Sequence, residues 1–175
     1  MIYLNNQNSN VRRIDELGRI VIPKDIRKKL HINDNEPLEI YIENEEIIIK
    51  KYSSLPEIKE FIDYLIDIGN RITNNKYIIT NRMEILSSTN KDLIGNTLSS
   101  NIESYCLTAT EIKNEHMELS ITPNFTLNAN IILMPLLIDG DRSGVIIEYN
   151  EEKAITADST IKIFKNLIEK KLNNC

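Results

Sequence analysis

Two cysteines, Cys106 and Cys175, stand far apart in a chain of 175 residues, so neither a disulfide framework nor a thiolate metal site has its ligands. The two histidines, His31 and His116, have no second ligand pair at metal-binding spacing, and no metal is expected. Five glycines are too few and too scattered for a phosphate-cradling loop, and neither a Gly-x-Ser-x-Gly elbow nor a dinucleotide fingerprint occurs, so no cofactor is expected. A nucleophile pair of Cys106 and His116 is the one enzymatic candidate left. Cys106 sits on the apolar side of a helix-like stretch, where a small core residue is the expected outcome, and the chain reads as a non-enzyme. No apolar run nears the roughly 18 residues of a spanning helix, and residues 1–10 lack both a basic start and an apolar segment. The reading is a soluble, cytoplasmic protein with a loose polar tail at 1–10 and no membrane role.

A formal charge of −5 argues at first sight against nucleic acid. The average conceals an asymmetry. Residues 11–31 carry Arg12, Arg13, Arg19, Lys24, Arg27, Lys28 and Lys29 against Asp15, Glu16 and Asp25, a local net of +4, whereas residues 53–175 hold 12 basic and 17 acidic side chains. One end of the chain is a candidate polyanion surface and the other is not.

Residues 11–14 and 19–22 read as short β-branched strands around a turn ending at Gly18, where a left-handed backbone costs nothing. Pro23 opens a short helix over 23–30 with Ile26 and Leu30 on one face. Leu38-Glu39-Ile40-Tyr41-Ile42-Glu43 alternates with period two, and residues 46–51 follow a polar Asn44-Glu45 turn, so the two pair as a hairpin. A module of about 40 residues without disulfide or metal buries too little apolar surface to stand alone, so a dimer is expected.

Ser53-Ser54-Leu55-Pro56 reads as a linker over 53–56, followed by a second domain over 57–175. There Ile58, Phe61, Ile62, Leu65, Ile66, Gly69 and Ile72 recur at helical spacing to about residue 74. Strand-like runs lie at 77–80, 83–87, 118–122, 131–138 and 145–149, with a helix near 98–107 and a last helix over 157–172 carrying Ile161, Phe164, Leu167, Ile168 and Leu172. Asp139-Gly140-Asp141-Arg142-Ser143-Gly144 turns a central hairpin. The mixed order is α+β, with two long helices flanking the sheet. Tyr77, Tyr105, Tyr149 and Phe125 are candidate pocket-lining aromatics, although scattered aromatics are more often plain core.

The string Val11-Arg12-Arg13-Ile14-Asp15-Glu16-Leu17-Gly18-Arg19-Ile20-Val21-Ile22-Pro23-Lys24, with Leu38-Glu39-Ile40-Tyr41 and Ile48-Ile49-Lys50-Lys51-Tyr52, resembles the AbrB family of transition-state regulators. That resemblance, which covers 11–52, implies a swapped-hairpin dimer that presents arginines to double-stranded DNA. The chain's length, the Lys50-Lys51-Tyr52-Ser53 junction, Asn90-Lys91-Asp92 and the α+β remainder further resemble sporulation regulators that join this module to a GAF-like domain. Carried over, the DNA-contacting positions are Arg12, Arg19, Arg27 and Lys28, with Arg13, Lys24 and Lys29 secondary. Guanidinium suits this because it forks onto phosphate or guanine, while Lys28 acts more as a point charge. Asp15, Glu16 and Asp25 read as partners that orient the arginines. Asn35 stands where the family commonly has glycine, and asparagine tolerates the left-handed turn.

The function implied is a DNA-binding transcriptional regulator of the transition-state or sporulation type, self-associating as a dimer or tetramer, whose second domain assembles chains or takes an unidentified small-molecule effector. The alternative is an antitoxin that shares the hairpin module and also neutralises a toxin partner. Such antitoxins end in short acidic disordered segments, and the patterned stretch of about 120 residues here is long enough to fold.

Overall fold

The computed structural model describes residues 11–30, 32, 34, 36–108, 111–155 and 158–173. The tail at 1–10, His31, the turn residue Asn35, Ala157 at the expected helix start and Cys175 lie outside the described residues. The chain divides after Tyr52 into two compact units.

In the first unit, helix α1 (Lys24–Lys29) is followed by strands β1 (Leu38–Glu43) and β2 (Glu46–Lys51), an antiparallel pair. The hairpin forms because two β-branched runs flank a two-residue loop. Asn44 and Glu45 both take positive φ, 48° and 66°, which matches the twist of the strands they join. The register sets Ile40 opposite Ile49 and Ile42 opposite Ile47 on one face. That face is bare in the single chain, with Ile40 64%, Ile42 79% and Ile47 67% exposed.

The strands expected at 11–14 and 19–22 are absent from the single chain. Both segments lack regular secondary structure and flank a turn at Asp15 to Gly18, with residues 11–14 and 19–21 exposed and Ile22 half-buried. Period-two patterning is a tendency that becomes a strand only when a neighbour completes the ladder.

The second unit opens with a 3-10 turn (Leu55–Ile58), so the stretch expected to be a linker at 53–56 already includes the fully buried Leu55. Then come α2 (Lys59–Thr73), β3 (Lys76–Thr80), β4 (Ile85–Ser88), a second 3-10 turn (Lys91–Leu93), α3 (Ser100–Thr108), β5 (Ile112–Thr122), β6 (Phe125–Ile138), β7 (Asp141–Asn150) and α4 (Ser159–Leu172). The expected elements are present with shifted ends: the strand read at 83–87 begins at Ile85, and the one read at 118–122 extends back to Ile112. The sheet runs β4-β3-β7-β6-β5, every neighbouring pair antiparallel. Its central hairpin turns on Asp139 and Gly140 alone, at φ 53° and 83°.

Both faces of the sheet are covered, which is why residues 144–149 of β7 are buried without alternation. On one face α2 and α4 lie together over Tyr77, Ile132, Met134 and Ile146, contributing Ile62, Ile66, Ile161, Phe164 and Ile168. On the other, α3 sets Ile102 and Cys106 against Ile78, Leu133, Val145, Ile147 and Tyr149. The two long helices therefore share one face. Glycine permits this closeness: a Cβ on Gly69 would stand 2.6 Å from Phe164 Cε2. Each large side chain so enclosed stabilises the fold by roughly 1.5–3 kcal/mol. Among the described residues no helix is long and apolar enough to cross a membrane.

Candidate nucleic-acid interface

The turn at Asp15 is built by its own side chain. Asp15 Oδ1 accepts the Leu17 N–H at 3.0 Å and the Arg19 N–H at 2.8 Å, while the Asp15 and Gly18 amides bond to Arg19 O and Asp15 O. Gly18, at φ 76°, lets the chain reverse. Asp15 Oδ2 then receives Arg19 Nε at 2.7 Å. The backbone N–H of Arg19, its guanidinium and the Leu17 N–H together hold the Asp15 carboxyl below its ordinary pKa, against a smaller desolvation effect. Arg12 and Arg13 precede this turn and Arg19 follows it, all three exposed.

Helix α1 begins after Pro23, which caps it with extended backbone (φ −57°, ψ 148°), and Arg27 N–H bonds to Pro23 O at 2.9 Å. Lys24, Lys28 and Lys29 are exposed and Arg27 is half-buried. Basic residues in the last turn suit the negative end of the helix dipole. After the helix the chain bends back, Ile32 N–H reaching Arg27 O at 2.8 Å, and Asp34 Oδ1 receives Arg27 Nη1 at 2.7 Å. The Asp34 contact had no signal in the spacing, because it depends on how the chain leaves the helix. Lys51 and Glu36 form a second unforeseen pair, 3.4 Å apart and largely buried.

In the second unit the four candidate aromatics do not share a pocket. Tyr77 points into the core under α2 and α4, whereas Tyr149 belongs to the opposite core, with Tyr105 and Phe125 packed against it. Cys106 is a buried core residue whose thiol is pushed up to about 11, chiefly by desolvation, and His116 is exposed on β5. An open groove of about 330 Å³ runs between α4 and β6, lined by Glu111, Met134, Pro135, Lys162, Lys165 and Asn166. One polar cluster has almost no signal in the sequence. Glu148 of β7 is fully buried and takes hydrogen bonds from Asn75 and Tyr77. Its only trace there is an acid inside an apolar run.

Among known proteins, the family described as antidote-toxin recognition MazE, bacterial antitoxin, matches residues 11–57. The chain is similar to stage V sporulation protein T of Bacillus subtilis, 27% identical over 151 residues, covering 83% of this chain and 85% of that protein. It is also similar to the transition state regulatory protein AbrB of the same organism, 55% identical over 42 residues, covering 24% of this chain and 44% of AbrB. The putative transition state regulator Abh is 45% identical over 42 residues, covering 24% of this chain and 46% of Abh. The resemblance read from residues 11–52 is borne out: the N-terminal unit carries a MazE/AbrB-type domain.

Proposed function

We propose that residues 11–52 of two chains combine into a swapped-hairpin unit that binds double-stranded DNA, and that the protein is a transcriptional regulator of the transition-state or sporulation type. The carrying observation is the state of this unit in a single chain. Ile40, Ile42 and Ile47 stand uncovered on one hairpin face, and Val11, Ile14, Ile20 and Val21 are each at least half exposed beside it in sequence. Covering such side chains is worth roughly 1.5–3 kcal/mol each, a driving force that a second copy can supply. In this reading the segments 11–14 and 19–22 become strands by gaining their ladder partners from the other chain.

Arg12, Arg19, Arg27 and Lys28 are assigned to DNA, with Arg13, Lys24 and Lys29 adding charge. All are exposed except Arg27, which is half-buried. Dimerisation doubles the local charge of +4. Residues 53–175 serve as a GAF-like domain with an assembly role. Support for assembly lies in the outer surfaces of α2 and α4, where Tyr64, Ile72, Ile163 and Leu167 are 65%, 77%, 55% and 40% exposed. The split of the aromatics between two cores gives an effector no common aromatic pocket.

The antitoxin reading draws on the family matched at 11–57. Against it, the described residues after Tyr52 fold around two apolar cores and offer no long free acidic segment to wrap a toxin. The test is analytical ultracentrifugation of the full chain and of Ile42→Lys, beside a gel shift on promoter duplex and co-purification for a toxin. The expected result is a self-associated, duplex-binding wild type and an Ile42→Lys variant that loses both properties. A monomeric wild type that ignores duplex overturns the proposal.

A further inference from the structure

We infer that Asp15 and Asp34 act on DNA binding in opposite senses: Asp15 aims Arg19, whereas Asp34 holds Arg27 back until DNA displaces it. This rests on the DNA-binding reading of residues 12–28 and concerns the regulation of that same surface.

The two arginines are held by different edges. Arg19 gives Nε to Asp15 Oδ2, and among the described residues neither of its terminal nitrogens has a partner, which leaves both for an end-on fork onto phosphate or onto guanine O6 and N7. The carboxylate that holds it is itself fixed, since its other oxygen closes the turn through two backbone N–H groups. Asp15 therefore works as a rigid post, and Arg19 meets DNA with part of its rotamer freedom already spent. Arg27 is engaged through Nη1, one of the nitrogens an end-on fork requires. Its partner Asp34 has a side chain 88% exposed, so water can take over the carboxylate when the pair opens. Asp34 competes with DNA for the same donor. Weakly held DNA leaves the pair closed, and only a contact that outbids it engages Arg27.

The test measures fluorescence anisotropy of the full chain with a random-sequence duplex pool at about 0.1 M salt, where screening beyond about 10 Å mutes long-range charge. Variants are Asp34→Asn, Asp34→Ser, Asp15→Asn, Arg27→Ala, Arg27→Ala with Asp34→Asn, and Glu16→Gln as a charge-only reference, since Glu16, expected to orient an arginine, is exposed and pairs with none among the described residues. Asparagine at 15 retains an oxygen to close the turn while losing the ion pair. Opening an exposed pair corresponds to about a two- to fivefold change per copy. Asp34→Asn and Asp34→Ser should tighten binding by that factor, more than Glu16→Gln does, and the gain should vanish when Arg27 is alanine. Asp15→Asn should loosen binding by a similar factor, although it removes a negative charge from a DNA-facing surface.

An Asp34→Asn gain equal to that of Glu16→Gln, a gain that survives in Arg27→Ala, or tighter binding by Asp15→Asn overturns the inference. If wild type binds duplex and Arg27→Ala weakens it while both Asp34 variants leave it unchanged, this inference falls and the DNA-binding reading stands. A wild type that binds no duplex overturns both.

Discussion

Tyr77 of β3 donates its hydroxyl hydrogen to Glu148 Oε1 of β7 at 2.8 Å, with both residues fully buried beneath α2 and α4. Asn75 Nδ2 donates to the same oxygen at 2.7 Å, and Asn150 Nδ2, bonded to Asn75 Oδ1 at 2.9 Å, fixes which way that amide points. Glu148 Oε2 is buried with no hydrogen-bond partner among the described residues. Burial raises the Glu148 pKa above the ordinary 4.5, the Asn75 and Tyr77 hydrogen bonds pull it part of the way back, and the nearby charge of Asp158 adds to the rise.

The pH consequence follows from that direction. A carboxyl whose folded pKa is raised supports the fold fully below its ordinary value of 4.5, and that support is lost as pH climbs through the raised value. Glu148→Gln, which stays neutral throughout, should therefore melt close to wild type near pH 4 and progressively above it toward pH 8. Melting curves across that range check this. A difference that is flat with pH would mean that Glu148 does not change its ionisation preference on folding.

Two glycines should tolerate alanine very differently from an ordinary surface position. A Cβ at Gly144 would lie 1.9 Å from the Thr80 carbonyl oxygen, a backbone atom locked in the β3–β7 ladder. A Cβ at Gly69 meets only ring atoms of Phe164 and Tyr77, and helix propensity favours alanine there. Overpacking of this kind costs about 1–3 kcal/mol, and Gly144→Ala should exceed that range while Gly69→Ala stays at its lower end. Urea unfolding of the two variants gives the order.

On the proposed DNA surface the basic residues should separate by role, because base contacts set sequence preference and phosphate contacts set the salt slope. Arg19→Ala or Arg27→Ala should cost on the order of 1–3 kcal/mol on a selected site and flatten its preference over random duplex. Lys28→Ala should weaken both duplexes alike and reduce the salt slope by about one for each phosphate it no longer neutralises, two if both subunits contribute. Salt titrations on both duplexes read this out. Should every substitution at Arg12, Arg19, Arg27 and Lys28 leave affinity within about twofold, the basic face is a solvated surface.

For the second unit, charges on the outer stripe of α2 and α4 should alter assembly without unfolding the domain. Ile163 and Leu167 lie four residues apart on α4 and point away from the core that Phe164 and Ile168 enter. Ile163→Lys with Leu167→Lys should lower the association state of the full chain, read by sedimentation, with melting little changed. An unchanged sedimentation coefficient would make the stripe ordinary surface.

Residues 11–30, with their arginines, their Asp-x-Leu-Gly-Arg turn and their Ile-Pro-Lys entry to a helix, carry the family resemblance that identifies the N-terminal unit, and the turn and the helix start among them are legible because short-range turn and capping chemistry is written in neighbouring side chains. Period two and period 3.6 likewise marked the β1–β2 hairpin, the central β6–β7 hairpin and the long helices α2 and α4. Tertiary structure alone decided that α2 and α4 share one face, since periodicity names an apolar side but not the surface it meets. It also decided that Tyr77 and Tyr149 enter opposite cores, that Asp34 rather than a nearer acid holds Arg27, and that Glu148 lies buried on a shared pair of donors. Each of these depends on contacts between residues distant in sequence or on the path of the chain after a helix. The missing ladder at 11–14 and 19–22 has the same cause: the pattern for a strand is local, but the hydrogen bonds that make one belong to a neighbouring strand.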